Sequence, residues 1–156
     1  MLESVCCFIE VIGFELENGY FIREFAALNS NSTLHGTVNH GLTKTDIPEG
    51  DLWGVGIEEN AVYGLDFSGS EADIKIDDLK AIIKQFYEAA KTPDKFLVGY
   101  ASKATNNFLR ELQIPRMEVD EGKAGPPCHL HSNNPNFICA LSRVIAMYNK
   151  HRNPFI

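Results

Sequence analysis

The chain lacks a hydrophobic run long enough to cross a membrane, and it is poor in basic residues. No stretch of about 18 apolar residues occurs in the sequence, so we expect no transmembrane helix. The first residues also lack the basic and apolar regions of a secretory signal. The 156 residues include 14 Lys and Arg against 21 Asp and Glu, a net charge of -7. Because phosphate contacts need concentrated positive charge, we expect neither a membrane nor double-stranded DNA as a partner.

Cysteine is scarce as well, with four residues in the whole chain. Without a secretory signal we expect an intracellular, reducing environment, in which four cysteines do not form a disulfide framework. The content of 44% hydrophobic and 22% charged residues is ordinary for a folded protein. A chain of this length can bury one hydrophobic core, so we predict a single domain over residues 1–156.

The densest group of potential metal ligands lies in residues 128–139, which read C-H-L-H-S-N-N-P-N-F-I-C. Cys128, His131 and Cys139 have the spacing Cys-x2-His-x7-Cys, and their sulfur and nitrogen atoms are donors that zinc prefers. His129 competes with His131 for this role but is less well spaced. The alternative to a metal site is that both cysteines are small buried hydrophobic residues and the histidine lies in a loop. A zinc site also needs a fourth ligand from elsewhere in the chain.

The same stretch predicts the start of the last helix. Asn134 and Pro135 are typical of the N-cap and the first position of a helix, so we predict a helix from about Pro135 to Lys150. Cys139 would then lie in its opening turns, where the helix dipole favours the thiolate that a metal needs.

A hairpin near the start of the chain supplies the candidate for the fourth ligand. Two segments rich in β-branched and aromatic residues, 5–16 and 20–28, flank Asn18-Gly19, a strong signal for a two-residue turn. This turn predicts that Glu24 lies opposite Gly13, on a face with Ile9, Val11, Ile22, Ala26 and Leu28. A carboxylate in such apolar surroundings is unfavourable unless it is paired or binds a metal, so we predict Glu24 as the ligand.

The same register places Glu10 on the other face of the hairpin, where an alanine should do little beyond local packing. Because side chains alternate between the faces of a strand, a β-bulge would exchange the two assignments.

The remaining segments alternate between strand and helix patterns. Residues 34–42 predict a third strand, with His35 and His40 at its surface or edge. A helix over 76–91, a strand over 95–100, a helix from the Ser102 cap to Leu112 and a strand over 116–119 follow. This order predicts an α/β fold with a mixed sheet, in which an antiparallel meander precedes alternating helices and strands. The ribonuclease-H-like fold of the acidic 3′–5′ exonucleases has the same order.

A long connection separates the third strand from the first predicted helix. Residues 43–73 are rich in Gly, Asp, Glu and Ser, and a connection of about thirty residues often carries function. We expect its aromatic residues, Trp53, Tyr63 and Phe67, to pin the connection to the core rather than to bind a ligand.

One known domain combines these features in the same order. Its similarities to the chain are Cys128-x2-His131-x7-Cys139, the following Ala140-Leu141, Glu24 in the hairpin and the Ile47-Pro48-Glu49-Gly50 turn. In these residues the chain resembles the Maelstrom domain of the germline small-RNA (piRNA) pathway. The resemblance implies a ribonuclease-H-like fold and a structural zinc ion bound by Glu24, Cys128, His131 and Cys139. It also implies RNA-mediated silencing in the cytoplasm, in perinuclear granules or in the nucleus.

The acidic residues argue against a two-metal nuclease. That chemistry needs clustered carboxylates that hold two ions about 4 Å apart. The first strand reads Glu10-Val11-Ile12 and lacks a second acid, the helix after Tyr100 has Asn106 and Asn107 where an acid is wanted, and the last helix has none. We therefore predict a non-catalytic, zinc-stabilised domain that binds a protein or single-stranded RNA.

Two alternatives to this prediction involve nucleases. The resemblance implies a weak, metal-independent, single-strand-specific ribonuclease, for which the basic end Lys150, His151 and Arg152 would bind RNA. The other alternative is a degenerate relative of the acidic 3′–5′ exonucleases.

Overall fold

The computed structural model describes residues 2–123, 125–131 and 137–151. Within this part, the strands are β1 (Val5–Leu16), β2 (Gly19–Leu28), β3 (Thr33–Asn39), β4 (Ile74–Lys75), β5 (Leu97–Tyr100) and β6 (Arg116–Glu118). The α-helices are α1 (Leu52–Ile57), α2 (Ile76–Ala90), α3 (Lys103–Glu111) and α4 (Ala140–His151). No helix among the described residues is both long enough and apolar enough to span a membrane.

The six strands form one mixed sheet in the order β4-β3-β2-β1-β5-β6. The pairs β1–β2 and β2–β3 are antiparallel, whereas β1–β5, β5–β6 and β3–β4 are parallel. The α/β class and the mixed sheet predicted from the order of elements are therefore confirmed. The two-residue strand β4 at the edge was not predicted, because two residues carry no detectable period.

A bulge in the β1–β2 hairpin decides which side chains share a face. Gly13 pairs with Ile22, but Ile12 pairs with Glu24, so the register shifts between Ile12 and Gly13. A Cβ atom at Gly13 would lie only 2.1 Å from the carbonyl oxygen of Phe21, so glycine is required for this approach of the strands.

The predicted pairing of Glu24 with Gly13 is wrong because of this bulge. Glu24 pairs with Ile12 and Glu10 pairs with Ala26, so both carboxylates lie on the same face of the sheet. Ile9 and Val11, predicted to share a face with Glu24, point to the opposite side.

The two faces of the sheet carry separate apolar clusters. One cluster joins the sheet to α2 and α3 and includes Ile9, Val11, Phe25, Ala27, Leu79, Ile83, Phe108 and Leu109. The other joins the sheet to α4 and includes Phe8, Ile12, Ala26, Leu28, Val144 and Met147. Glu24 and Glu10 therefore lie beneath α4, on the side of the sheet that the last helix covers.

The helix boundaries follow local signals except at α4. The Ser102 side chain caps α3 by accepting a hydrogen bond from the Thr105 N–H, as predicted. Helix α4 begins at Ala140, later than the predicted start, and Asn134 and Pro135 lie outside the described residues. Cys139 therefore precedes the helix instead of lying in its opening turns, and its carbonyl accepts the Arg143 N–H at 3.1 Å.

The long connection folds into short helical turns. 3-10 turns at Lys44–Asp46 and Glu49–Asp51 lead into α1, which continues as a π-helical turn over Glu58–Tyr63. Phe67 is fully buried, and Tyr63 packs edge-on against Phe14 with ring centroids 5.4 Å apart. Trp53, in contrast, is 81% exposed, so the expectation that it pins the connection to the core is wrong.

Candidate metal centre

The structure brings the four predicted ligands together. Glu24, Cys128, His131 and Cys139 each offer a ligand atom, and these four atoms lie within 4.8 Å of one another. They come from three separate segments, namely strand β2, the turn at 128–131 and the residue before α4. No second group of three or more such residues, separate from this one, occurs in the described ranges 2–123, 125–131 and 137–151.

A tight turn holds the two ligands that are close in sequence. The His131 N–H donates to the Cys128 carbonyl at 3.2 Å, which folds the intervening residues back on themselves. The Cys128 N–H points at the Cys139 sulfur, with 3.3 Å between nitrogen and Sγ. The backbone therefore stabilises negative charge on Cys139 and sets the spacing between the two thiols.

The distances between donors fit a single tetrahedral ion. Glu24 Oε2 lies 3.6 Å from Cys128 Sγ and 3.7 Å from Cys139 Sγ, and Glu24 Oε1 lies 3.0 Å from His131 Nε2. Zinc bonds of about 2.3 Å to sulfur and about 2.0 Å to oxygen give sulfur–oxygen edges of roughly 3.5 Å in a tetrahedron. The donor set of two thiols, one imidazole and one carboxylate suits the same ion.

Outer contacts fix the orientation of the His131 ring. His131 is 3% exposed, and its Nδ1 bonds to the carbonyl of Tyr63, which leaves Nε2 to face the cluster. A second nitrogen held by a carbonyl is the usual support of a metal-binding histidine. His129, the competing candidate, is exposed and lies outside the cluster.

His35 also reaches the cluster, although the sequence pattern placed it at a surface or edge. Its Nε2 lies 2.7 Å from Glu24 Oε2 and 3.6 Å from Cys128 Sγ, and its side chain is 16% exposed. The pairing of Ala26 with His35 and of Glu24 with Thr37 puts His35 on the face of Glu24. Counting the pairs onward from the short turn between β2 and β3 would have found this residue.

Hydrogen bonds decide the ionisation of Glu24 and His131. Burial alone would raise the pKa of Glu24, but hydrogen bonds from His131, His35 and the Ala140 N–H outweigh it and lower the pKa to about 2. Burial would lower the pKa of His131, but bonds to Cys139, Glu24 and the Tyr63 carbonyl raise it to about 10. The imidazolium therefore balances the negative charge of its neighbours.

The two thiols differ in their ionisation. Burial raises the pKa of Cys128 to about 12, with a further contribution from the charge of Glu24. Burial also opposes ionisation of Cys139, but the bond from His131 outweighs it and lowers that pKa to about 7. A divalent cation would replace the charge of the imidazolium while displacing protons from the nitrogen and sulfur ligands.

Comparison with known proteins assigns no role to this group of four residues. No family model, curated protein or solved structure matches the chain.

The second buried carboxylate on this face, Glu10, has a different environment. Its Oε2 accepts the N–H groups of Ala101 at 3.0 Å and Ser102 at 3.2 Å, and its Oε1 lies 3.2 Å from Arg143 Nη1. Glu10 is fully buried, so removing the carboxylate would leave two buried amides without their acceptor and Arg143 with the more exposed Glu121 as its carboxylate partner, 3.5 Å away. These contacts instead predict that an alanine at Glu10 destabilises the fold beyond local packing.

The predicted basic end is engaged in local contacts. The Lys150 ammonium pairs with the Asp120 carboxylate, and His151 Nε2 bonds to the Asp120 carbonyl, while Arg152 lies outside the described residues. Lys150 and His151 lie at the end of α4 opposite to Cys139, about 17 Å away at 1.5 Å per helical residue. The structure does not bring them to the cluster.

Proposed function

We propose that Glu24, Cys128, His131 and Cys139 bind one structural zinc ion and that the domain is a non-catalytic binding module. The observation that carries the proposal is the convergence of two thiols, one imidazole and one carboxylate within 4.8 Å. Two sulfur ligands favour zinc over magnesium or calcium, which prefer oxygen ligands.

The proposed ion has a structural role because four protein ligands close its coordination sphere. A catalytic zinc keeps one position for water or substrate, and this donor set fills all four. The ion would join β2 to the 128–131 turn and to the start of α4, three segments far apart in sequence. Because such a site forms only in the folded chain, the binding free energy of zinc contributes to folding.

The sheet supports a ribonuclease-H-like fold of the Maelstrom type as part of this proposal. A three-stranded antiparallel meander lies beside the parallel strands β5 and β6, with α4 packed on the face that carries Glu24. The predicted ligand set of that family is the set that meets beneath α4. This combination of strand order and donor chemistry favours the assignment over an unrelated mixed sheet.

The environment of Glu10 supports a non-catalytic role. The carboxylate that would begin a two-metal nuclease site accepts two backbone N–H groups and faces Arg143. A guanidinium at this position repels a divalent cation, and a two-metal mechanism needs further carboxylates beside it. These contacts favour a domain in which the acidic site has become a structural clamp.

A protein is the partner class we propose in preference to single-stranded RNA. The chain has a net charge of -7, and Lys150 is already paired with Asp120. RNA binding needs free positive charge along a path for the phosphates. The setting, a small-RNA silencing assembly, rests on the resemblance to the Maelstrom domain alone.

Metal analysis of the purified protein tests the zinc assignment. We expect about one zinc per chain, as for other four-ligand sites, and its loss in Cys139→Ser. A wild-type protein that is folded and free of zinc would contradict the assignment.

A cleavage assay tests the non-catalytic role. Labelled single-stranded RNA should stay intact with the protein, both with and without a chelator. Cleavage that survives chelation and disappears in Lys150→Ala/His151→Ala would overturn the binding role in favour of the ribonuclease.

A further inference from the structure

The negative charge of the chain is concentrated in one segment. Residues 45–74 contain eight acidic residues and no Lys or Arg. The rest of the chain has fourteen basic and thirteen acidic residues, so it is nearly neutral and the net charge of -7 arises in this segment. This segment, residues 45–74, is called the acidic insertion below. An uneven distribution of this kind directs association with charged partners.

The acidic insertion also carries the largest exposed hydrophobic side chain of the described residues. Trp53 is 81% exposed, and Leu52 and Ile57 on the same short helix are 48% and 40% exposed. At 100° per residue, Leu52, Trp53, Gly56 and Ile57 fall within an arc of about 140°, whereas Val55 is buried on the other side. A Cβ atom at Gly56 would meet nothing within 4 Å, so bare backbone is open to solvent between the apolar side chains. Leu52, Trp53, Gly56 and Ile57 are called the α1 patch.

Contacts beneath α1 hold the patch in place. Val55 packs in a cluster with Phe14, Leu16, Ile47 and Phe67. Asp51 accepts the Glu17 N–H at 3.0 Å, which joins the start of α1 to the tip of the β1–β2 hairpin. Buried Glu59 accepts the Phe67 N–H at 2.7 Å and pairs with Lys44. The exposed apolar surface is therefore a fixed feature of the fold, and binding to it requires little ordering.

Carboxylates flank the patch, and Lys44, the lysine just before the acidic insertion, is engaged. Glu49 and Asp51 precede α1, and Glu58 follows it. Burial raises the pKa of Glu58, and the negative charge of Glu15 in the hairpin raises it further. Lys44 is committed to buried Glu59. A partner at the patch therefore meets an apolar centre with a negative rim.

We propose that the α1 patch binds a cationic amphipathic segment of a partner protein. Apolar side chains of that segment would cover Trp53 and Ile57, and its Lys or Arg residues would face Glu49 and Glu58. Tryptophan is the best aromatic ring for cations and is enriched among the residues that dominate interfaces. The negative rim repels nucleic acid, and it repels the same surface of a second copy of the chain. The inference rests on the proposed binding role but uses none of the four metal ligands.

A defined probe tests this inference. A labelled synthetic helix with leucine on one face and lysine on the other is titrated with the zinc-loaded full chain, and binding is followed by anisotropy. Two matched helices, with glutamate replacing lysine or serine replacing leucine, should bind at least about tenfold more weakly. Because Trp53 is the single tryptophan, its emission should shift to shorter wavelength as the probe covers it.

Surface variants locate the binding site. Trp53→Ser should weaken binding of the lysine helix by at least about tenfold, since central aromatic residues dominate interfaces. Ile57→Ser should weaken it too, whereas Ile145→Ser, at a residue with similar exposure of 41% on α4, should not. Glu49→Gln/Glu58→Gln should weaken binding of the lysine helix about threefold and make its affinity less sensitive to salt. Asp94→Asn/Glu118→Gln should change neither the affinity nor its sensitivity to salt. Circular dichroism checks that each variant is folded.

The possible outcomes separate this inference from the metal assignment. No binding of the lysine helix to the zinc-loaded chain, binding that Trp53→Ser leaves intact, or equal binding of the glutamate helix would overturn the inference. A dimer that sedimentation detects and Trp53→Ser abolishes would overturn it in favour of self-association. Probe binding by a folded chain that contains no zinc would support the patch while contradicting the metal site.

Discussion

Glu10 and Glu24 have similar positions in the sheet but differ in the groups that balance their negative charge. Both are fully buried on one face of adjacent strands, and at the start of a helix Glu10 accepts two backbone N–H groups and Glu24 accepts one. For Glu10, the Arg143 guanidinium supplies the positive charge. For Glu24, two thiols and two imidazoles crowd around the carboxylate.

The difference shows how one sheet can support two kinds of buried carboxylate. The contacts of Glu10 form a complete set within the chain, which joins β1 to α3 and α4. The contacts of Glu24 include sulfur atoms, which are weak hydrogen-bond partners but strong ligands for a soft or borderline metal. The structure around Glu10, here called the Glu10 end, should therefore be equally stable with and without a metal ion. The structure around Glu24, here called the Glu24 end, should be stable only when the ion is bound.

The largest effect should come from removing a thiol at the Glu24 end. Cys139→Ser should release zinc and cost roughly 5 kcal/mol or more of unfolding free energy, because structural zinc binding is coupled to folding. Metal content and thermal unfolding by circular dichroism measure both effects. Cys6→Ser, at a buried cysteine outside the cluster, is the control and should keep its zinc.

Matched glutamine substitutions should separate the two carboxylates. Glu24→Gln should lower zinc affinity by about 100-fold or more, since a charged ligand is lost. Glu10→Gln should retain zinc but lose about 1–3 kcal/mol of stability, because two backbone N–H groups and Arg143 lose a charged acceptor while Arg143 keeps Glu121. Chelator competition and urea unfolding give the two quantities. Equal loss of zinc in both variants would remove the distinction.

The bulge that brings both carboxylates to one face can be tested at Gly13. Gly13→Ala should destabilise the fold by about 2–4 kcal/mol, because the new Cβ would collide with the Phe21 carbonyl. Gly50→Ala is the control, since a Cβ at Gly50 meets nothing within 4 Å. Urea unfolding compares the pair, and similar stability of the two variants would exclude a steric role for Gly13.

Zinc binding at the Glu24 end should release protons from the nitrogen and sulfur ligands. Near pH 7, His131 with a pKa of about 10 and Cys128 with a pKa of about 12 each lose a proton, and Cys139 with a pKa of about 7 loses about half of one. Affinity should therefore rise by about 100-fold or more per pH unit, since more protons are bound without the metal. Calorimetry in buffers of different ionisation enthalpy counts the protons. Release of fewer than about two would conflict with this ligand set.

The smallest effect should come from His35, which contacts Glu24 without belonging to the group of four. His35→Asn should lower zinc affinity by about tenfold, as expected for a residue that orients a ligand. The zinc content of the purified variant should stay near that of the wild type, and competition with a chelator should reveal the weaker binding. Loss of zinc on the scale of Cys139→Ser would instead make His35 a ligand.

Local signals in the sequence were sufficient for most strands and helices and for the four residues that meet in the candidate site. Asn18-Gly19 predicted the hairpin, and the spacing of Cys128, His131 and Cys139 predicted a group that the structure does bring together. The face of Glu24 was not predictable in the same way, because one bulge exchanges the faces of a strand. Gly13 inside a strand pattern was the available signal for that bulge.

The exposure of Trp53 and the partner of Glu10 depend on tertiary packing. Composition alone does not say which side of a six-residue helix faces the core, and here Val55 takes the buried side. Arg143 lies far from Glu10 in sequence, and their pairing required the placement of α4 over β1. Neither the exposure of Trp53 nor the pairing of Glu10 with Arg143 produces a periodic pattern in the sequence.

Hydrogen bonds to the carbonyls of Val62 and Tyr63 should determine which segments of the chain unfold together. The Tyr63 carbonyl bonds to the His131 ring and the Val62 carbonyl accepts the Ile138 N–H at 2.9 Å, so the acidic insertion is bonded to both sides of the loop that carries His131. Segments joined in this way exchange their amide hydrogens through a shared opening event. The segment that carries Trp53 and the loop that carries Cys128 and His131 should thus open as one cooperative unit, instead of opening independently of each other.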